Sequence, residues 1–279
     1  MIAIVPIRTA LTLAATLLTA SLSVAAKAED ASPWQRDAHS AVRLLAGSRS
    51  GGVLLGGIAI QLQDGWKTYW RNPGDSGVPP RFDFSRSDNV EAVTILWPAP
   101  MKFDDGAGGF SLGYKKQVVL PLRIVARNSD KPVTLRAQIS YAVCDKLCVP
   151  VEAACELTFA SVASTEDGNL SAALDSVPKP ANIGDPAPVT IRDVRREGDK
   201  NVVVDVTAPE SKDIQLFVEG PTPDWALPIP KLVENSPPGV KRFAFELDGL
   251  PPGAKPDGAA LKLTLVGGER PYEFNVNLD

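Results

Sequence analysis

Short apolar runs, broken by Gly, Pro, Asn and Asp, recur along almost the whole chain. Several alternate apolar and polar residues with period two, the signature of a strand with one buried face. In the first half the pattern predicts strands over 52–63, 91–96, 117–125, 133–143 and 149–160. A second set follows at 189–194, 201–208, 214–219, 241–247, 260–266 and 272–278. Many short strands separated by turn residues predict β-sandwich architecture. A single helix is expected at about 168–176, ended by Pro178. Next to it, "VPKPANIGDPAPV" carries four prolines and reads as a boundary. The expectation is an all-β protein with sandwich domains at 33–165 and 186–279, joined by a helix and Pro-rich linker at 166–185.

The first residues do not fit this pattern. "MIAIVPIRTALTLAATLLTASLSVAAKAED" has Arg8, an apolar stretch and the small-x-small sequence Ala26-Lys27-Ala28. That reads as a signal peptide over 1–28, cleaved after Ala28; an uncleaved membrane anchor is the alternative. Removing Arg8 and Lys27 takes the formal charge from −4 to −6. No later segment is long and apolar enough to span a bilayer, so the mature chain is expected to work in an oxidising compartment where disulfides persist. The acidic balance, with no run of Lys or Arg, argues against nucleic acid.

Missing residue types exclude more. His39 is the only histidine and precedes the first confident strand, so a Ser-His-Asp triad is not expected and His39 reads as a solvated imidazole. Three cysteines and one distant histidine do not make an ordinary zinc site. "GSRSGG" at 47–52 reads as a turn, not a phosphate loop. The second domain has neither Cys nor His and is expected to be a packing or interaction module.

The chemistry concentrates in "ISYAVCDKLCVPVEAACELTF", which holds Cys144, Cys148 and Cys155. Strand alternation puts Leu135, Ala137, Ile139, Tyr141 and Val143 on one face, and Ala142 and Cys144 on the other. It puts Cys155 with Val149, Val151, Leu157 and Phe159, so Cys155 reads as a buried apolar residue. Cys144 and Cys148 fall on the polar face, where both are expected to be accessible. A straight strand holds them roughly 13 Å apart, so bonding needs the chain to fold back at Asp145-Lys146-Leu147, most naturally as a tight hairpin. Three readings stay open at this point: a redox-exchanging pair, a surface disulfide without a redox role, and copper(I) capture by two thiolates.

"YAVCDKLCVPVEA", with "GWKTYWRNPGDSGVPPRFDF", "ILWPAPMKF" and "LGYKKQVVLPL" upstream, resembles the N-terminal periplasmic domain of the DsbD family, and within it the ScsB-like branch. The resemblance covers about residues 50–165 and implies an immunoglobulin-like fold, here two such sandwiches in tandem. It implies that Cys144 and Cys148 form a redox pair, with Cys148 attacking. No cofactor or metal is then needed, because the cysteines carry the electrons. The implied role is that of a protein-disulfide reductase component. A separate membrane-embedded thiol reductase would donate electrons. Periplasmic thioredoxin-like, isomerase or cytochrome c maturation proteins would accept them. The family shields its cysteines with an aromatic cap loop, which corresponds to "MKFDDGAGGFSLGY"; the candidate cap and supporting residues are Phe103, Phe110, Tyr114, Tyr141, Asp104 and Asp105. For Tyr141 plain core packing is the alternative, and for the two aspartates turn formation. Trp66, Tyr69 and Trp70 read as the end of a strand before a Pro/Gly turn, packing the end of the sandwich or offering an aromatic platform. Two departures matter: three residues separate the cysteines where well-known members have five, and no membrane hub is present. A stand-alone copy of this kind could instead be a non-catalytic adaptor.

Overall fold

The computed structural model describes residues 29–279 apart from Ser50, Ala107 and Asn235, so the expected signal peptide lies outside the described residues. Nineteen strands and one helix follow in order: β1 (Gln35–Arg36), β2 (Ser40–Ala46), β3 (Val53–Leu62), β4 (Lys67–Gly74), β5 (Arg81–Asp83), β6 (Val90–Ile95), β7 (Met101–Asp104), β8 (Phe110–Lys115), β9 (Gln117–Ala126), β10 (Val133–Cys144), β11 (Cys148–Phe159), α1 (Asp167–Asp175), β12 (Lys179–Ala181), β13 (Thr190–Glu197), β14 (Asn201–Thr207), β15 (Gln215–Glu219), β16 (Lys231–Leu232), β17 (Val240–Glu246), β18 (Ala260–Val266) and β19 (Tyr272–Asn277). The fold is all-β and immunoglobulin-like, as the alternation and the resemblance implied.

Four sheets form two stacked pairs. In the first pair a five-stranded sheet, β1-β2-β3-β9-β6, faces a six-stranded sheet, β11-β10-β4-β8-β7, with β5 pairing on β10. Alternation decides what lies between them: Val42, Leu44, Ile58, Leu120, Leu122 and Ile124 from one sheet meet Leu135, Ile139, Tyr141, Val151, Leu157 and Phe159 from the other. Cys155 joins this core, as its strand parity required. The second pair is β12-β19-β18-β15 over β13-β14-β17-β16, with its own core around Ile191, Val204, Phe243, Leu263 and Phe274.

The stretch expected to be a linker is divided between the two halves. Helix α1 lies on the outer face of the five-stranded sheet, with Leu170 buried against Leu45 and Ala59. Gly57 permits this approach, since a Cβ there would sit 2.7 Å from Leu170 Cδ2. Residues 179–181 instead pair in parallel with β19, so the Pro-rich stretch contributes a strand to the second half. Pro180 is tolerated because β12 is an edge strand.

The halves meet along β4. Trp70 is fully buried and its ring centroid lies 6.2 Å from that of Phe217 on β15. Arg71 donates three hydrogen bonds to Glu219 and one to Glu273, at 2.6–3.2 Å. Asn72 Nδ2 donates to the Val218 carbonyl at 3.1 Å. The aromatic cluster therefore opens a strand rather than ending one, and it is no open platform: Trp66 stacks on His39 at 3.7 Å while Trp70 fills the core. His39 is correspondingly half-buried, with Nδ1 3.3 Å from Gln63 Oε1, and not the free imidazole expected.

Candidate functional site: a cross-strand disulfide

β10 and β11 form one long antiparallel hairpin, in register from Val133↔Phe159 to Cys144↔Cys148. The chain reverses over Asp145, Lys146 and Leu147, closed by Asp145 N–H donating to the Leu147 carbonyl at 3.2 Å. The cysteines thus face each other at the neck and are bonded, with S–S 2.05 Å and Cα–Cα 4.2 Å. The bond sits on the outer face of the six-stranded sheet, opposite the core.

The two sulfurs have different surroundings. Cys148 is exposed, at the start of β11. Cys144 is not accessible as the alternation suggested; it is 1% exposed, in a small cluster with Ala142 and Tyr69. The outer face of a sheet is exposed only where nothing covers it, and here β4 pairs with β10 through Val143↔Thr68 and Cys144↔Lys67. That register brings Tyr69 beside Ala142. Its hydroxyl donates to Cys144 Sγ at 2.8 Å and lies 3.3 Å from Cys148 Sγ. Gly77 lies against the ring: a Cβ there would come within 2.7 Å of Tyr69 Cδ1 and Cε1. Burial pushes the Tyr69 phenol above its ordinary pKa, so it remains a donor at neutral pH.

The expected cap segment is a β-hairpin, β7 paired with β8 from Met101↔Gly113 to Asp104↔Phe110. Phe103 is buried under two ammonium groups, with Lys67 Nζ 5.5 Å and Lys115 Nζ 4.7 Å from its centroid. Phe110 is half-buried with Lys102 Nζ 4.4 Å above it. Asp104 and Asp105 serve the turn, the alternative weighed for them: Asp104 Oδ1 accepts from Gly106 N–H, and Asp105 accepts from Gly109 N–H and Ser76 Oγ. Tyr114 and Tyr141 point to the other side of the sheet. Tyr114 is in the core with its hydroxyl donating to the Pro98 carbonyl, and Tyr141 is there with its hydroxyl 2.7 Å from Ser40 Oγ. Burial raises the pKa of both phenols and of the Cys155 thiol. The structure therefore joins Cys144 and Cys148, places Tyr114, Tyr141 and Cys155 away from them, and adds Tyr69 and Lys67. Among the described residues no cluster of three or more His, Cys, Asp or Glu side chains could hold a metal ion.

An immunoglobulin-like sandwich with a cross-strand disulfide on its outer face, one sulfur exposed and one covered, defines a class of disulfide-bearing β module. Residues 39–160 match the family model described as the N-terminal domain of the thiol:disulfide interchange protein DsbD, and the chain carries a DsbD N-terminal-like domain. The crystal structure of the N-terminal periplasmic domain of ScsB from Proteus mirabilis shares the fold over both halves: TM-score 0.70, 23% identity, covering 89% of this chain and 98% of that one. A marsupial T cell receptor (10% identity, 87% and 98% covered) and a conserved domain protein from Bacillus anthracis (10%, 84% and 75%) reach TM-scores of only 0.23 and 0.22. No curated protein sequence matches the chain.

Proposed function

We propose that the chain is a periplasmic thiol:disulfide interchange protein that passes two electrons from a separate membrane-embedded thiol reductase to periplasmic disulfide proteins through Cys144 and Cys148. The observation that carries the reading is the asymmetry of the pair: an exposed Cys148 sulfur bonded to a Cys144 sulfur covered by a phenol donor. In the reduced state the Cys148 thiolate attacks one sulfur of the target disulfide. That S–S bond breaks, a target thiolate leaves, and a mixed disulfide forms. The Cys144 thiolate then attacks Cys148 Sγ, the intermolecular bond breaks, and the second target thiolate leaves. The target is reduced by two electrons and the Cys144–Cys148 bond reforms. Recharging runs the same steps backwards, the donor thiolate attacking exposed Cys148 Sγ and Cys144 leaving as a thiolate.

Tyr69 acts as a positioning residue in this scheme. Its hydroxyl can donate to Cys144 as thiolate, and hydrogen bonds to charged groups are worth about 1.5–3 kcal/mol. Among the described residues no helix is long and apolar enough to cross a membrane. The proposal also assigns 33–165 to the exchange domain and 186–279 to a second sandwich that accompanies it.

Equilibration in glutathione buffers, with free Cys144 and Cys148 followed by alkylation and mass spectrometry, tests the reading. A reversible transition between about −270 and −180 mV is expected, the range of exchange proteins. A bond still oxidised below about −300 mV would make it a structural staple and the chain a non-catalytic adaptor.

A further inference from the structure

The strand register sets four side chains in one row across the outer face: Cys148, Cys144, Lys67 and Lys115. Residues directly opposite on antiparallel strands share a face, with Cβ atoms about 4.5–5.5 Å apart. The disulfide therefore runs on into two ammonium side chains. Like charges placed opposite each other are unfavourable, yet these two are not neutralised. Lys67 Nζ donates to Ser111 Oγ at 2.9 Å, and both lysines lean on the Phe103 ring. The lysine ion pairs among the described residues are Lys200–Asp248 and Lys262–Glu273, both in the second half. The turn carboxylates Asp75, Asp104 and Asp105 accept backbone N–H groups of the β7–β8 turn and keep their charge there, beyond the row itself. At the hairpin tip, exposed Asp145 and Lys146 offset each other. A chain of formal charge −4 thus presents a positive row on the face that carries its disulfide.

We propose that Lys67 and Lys115 form the docking face for an acidic protein whose exchanging cysteines are flanked by Asp and Glu. This rests on the exchange reading above and names the partner class of that same site. A protein fits better than an anionic bilayer, because lipid-binding clusters collect about 4–8 basic residues and this row ends in a disulfide that a partner sulfur must reach. Opposite charge across the interface steers the encounter and loses its effect as salt rises.

The test mixes the reduced full chain with two matched disulfide peptides, one flanking its cysteines with Asp and Glu, the other with Lys. At about 20 mM salt the acidic peptide is expected to be reduced roughly tenfold faster, and at about 500 mM the preference disappears. Lys67→Gln with Lys115→Gln brings the ratio close to one; Lys200→Gln leaves it. Docking is read separately, by fluorescence anisotropy of Ser-for-Cys versions of both peptides on the oxidised chain. Reduction of neither disulfide peptide, with preferential lysine-dependent binding of the acidic Ser peptide, sinks the exchange reading and keeps the docking face. Equal behaviour of the two peptides in both assays, or a ratio unchanged in the double variant, overturns the docking face. So does lysine-dependent sedimentation with phosphatidylglycerol vesicles without any peptide preference.

Discussion

Tyr69 touches both sulfurs through a single oxygen. Its removal should affect chemistry more than stability. Tyr69→Phe keeps the ring packed against Gly77 but withdraws the donor from Cys144. The exchange rate of the reduced protein should fall roughly tenfold, equivalent to about 1.4 kcal/mol, and the Cys144 thiol should titrate at higher pH. Stopped-flow reduction of a model disulfide and pH-dependent alkylation read the two effects. Accessibility makes a second prediction: Cys144→Ser should accumulate mixed disulfides through exposed Cys148, whereas Cys148→Ser should not, as judged by non-reducing electrophoresis. The burial of Cys155 was legible in the amino-acid sequence, because strand parity alone puts it with Leu157 and Phe159. The role of Tyr69 was not, because its place over Cys144 depends on β4 pairing with β10, some 75 residues away. For the same reason parity assigned the correct face to Cys144 yet missed its burial.

The β10–β11 hairpin is paired along its whole length, and the disulfide closes only its tip. Closing a loop of about five residues restricts the unfolded chain by about 2 kcal/mol in the entropic model. Reduction should therefore cost no more than about 2 kcal/mol in denaturant unfolding and leave the sheet intact; a larger loss would point to a structural bond. In the second half, Arg242 and Arg195 donate to Asp205 and hold its carboxyl below the ordinary range. A depressed folded pKa gives stability that is present above about pH 4 and lost as pH falls through the folded value. Asp205→Asn should flatten the acid limb of thermal melts recorded below pH 4. Long alternating strands such as β9, β10 and β11 could be read from the chain. β2 could not, because it is buried on both faces, by the core and by α1, and shows no alternation. β4 and β8 were obscured by Gly, Pro and irregular pairing between Tyr69 and Gly74.

Across the whole molecule, β4 serves two sites. Lys67 and Tyr69 face the disulfide, while Trp70 and Arg71 hold the second half through Phe217, Glu219 and Glu273. Phe217→Ala should remove about 3–5 kcal/mol and separate thermal unfolding into two calorimetric transitions; a single unshifted transition would mean that the halves are not coupled there. That the chain holds two sandwiches was legible from its strand spacing and prolines. How they meet was not, since Arg71 and Glu273 are 202 residues apart. The junction also bears on dissection of the molecule. A piece ending near residue 165 would contain the family-matching segment and its disulfide. It would also bare the Trp70 flank, strand Arg71 without its carboxylates and uncover Leu45 and Ala59 beneath the lost helix. Such a fragment carries a sticky scar, and its self-association would be a property of the cut.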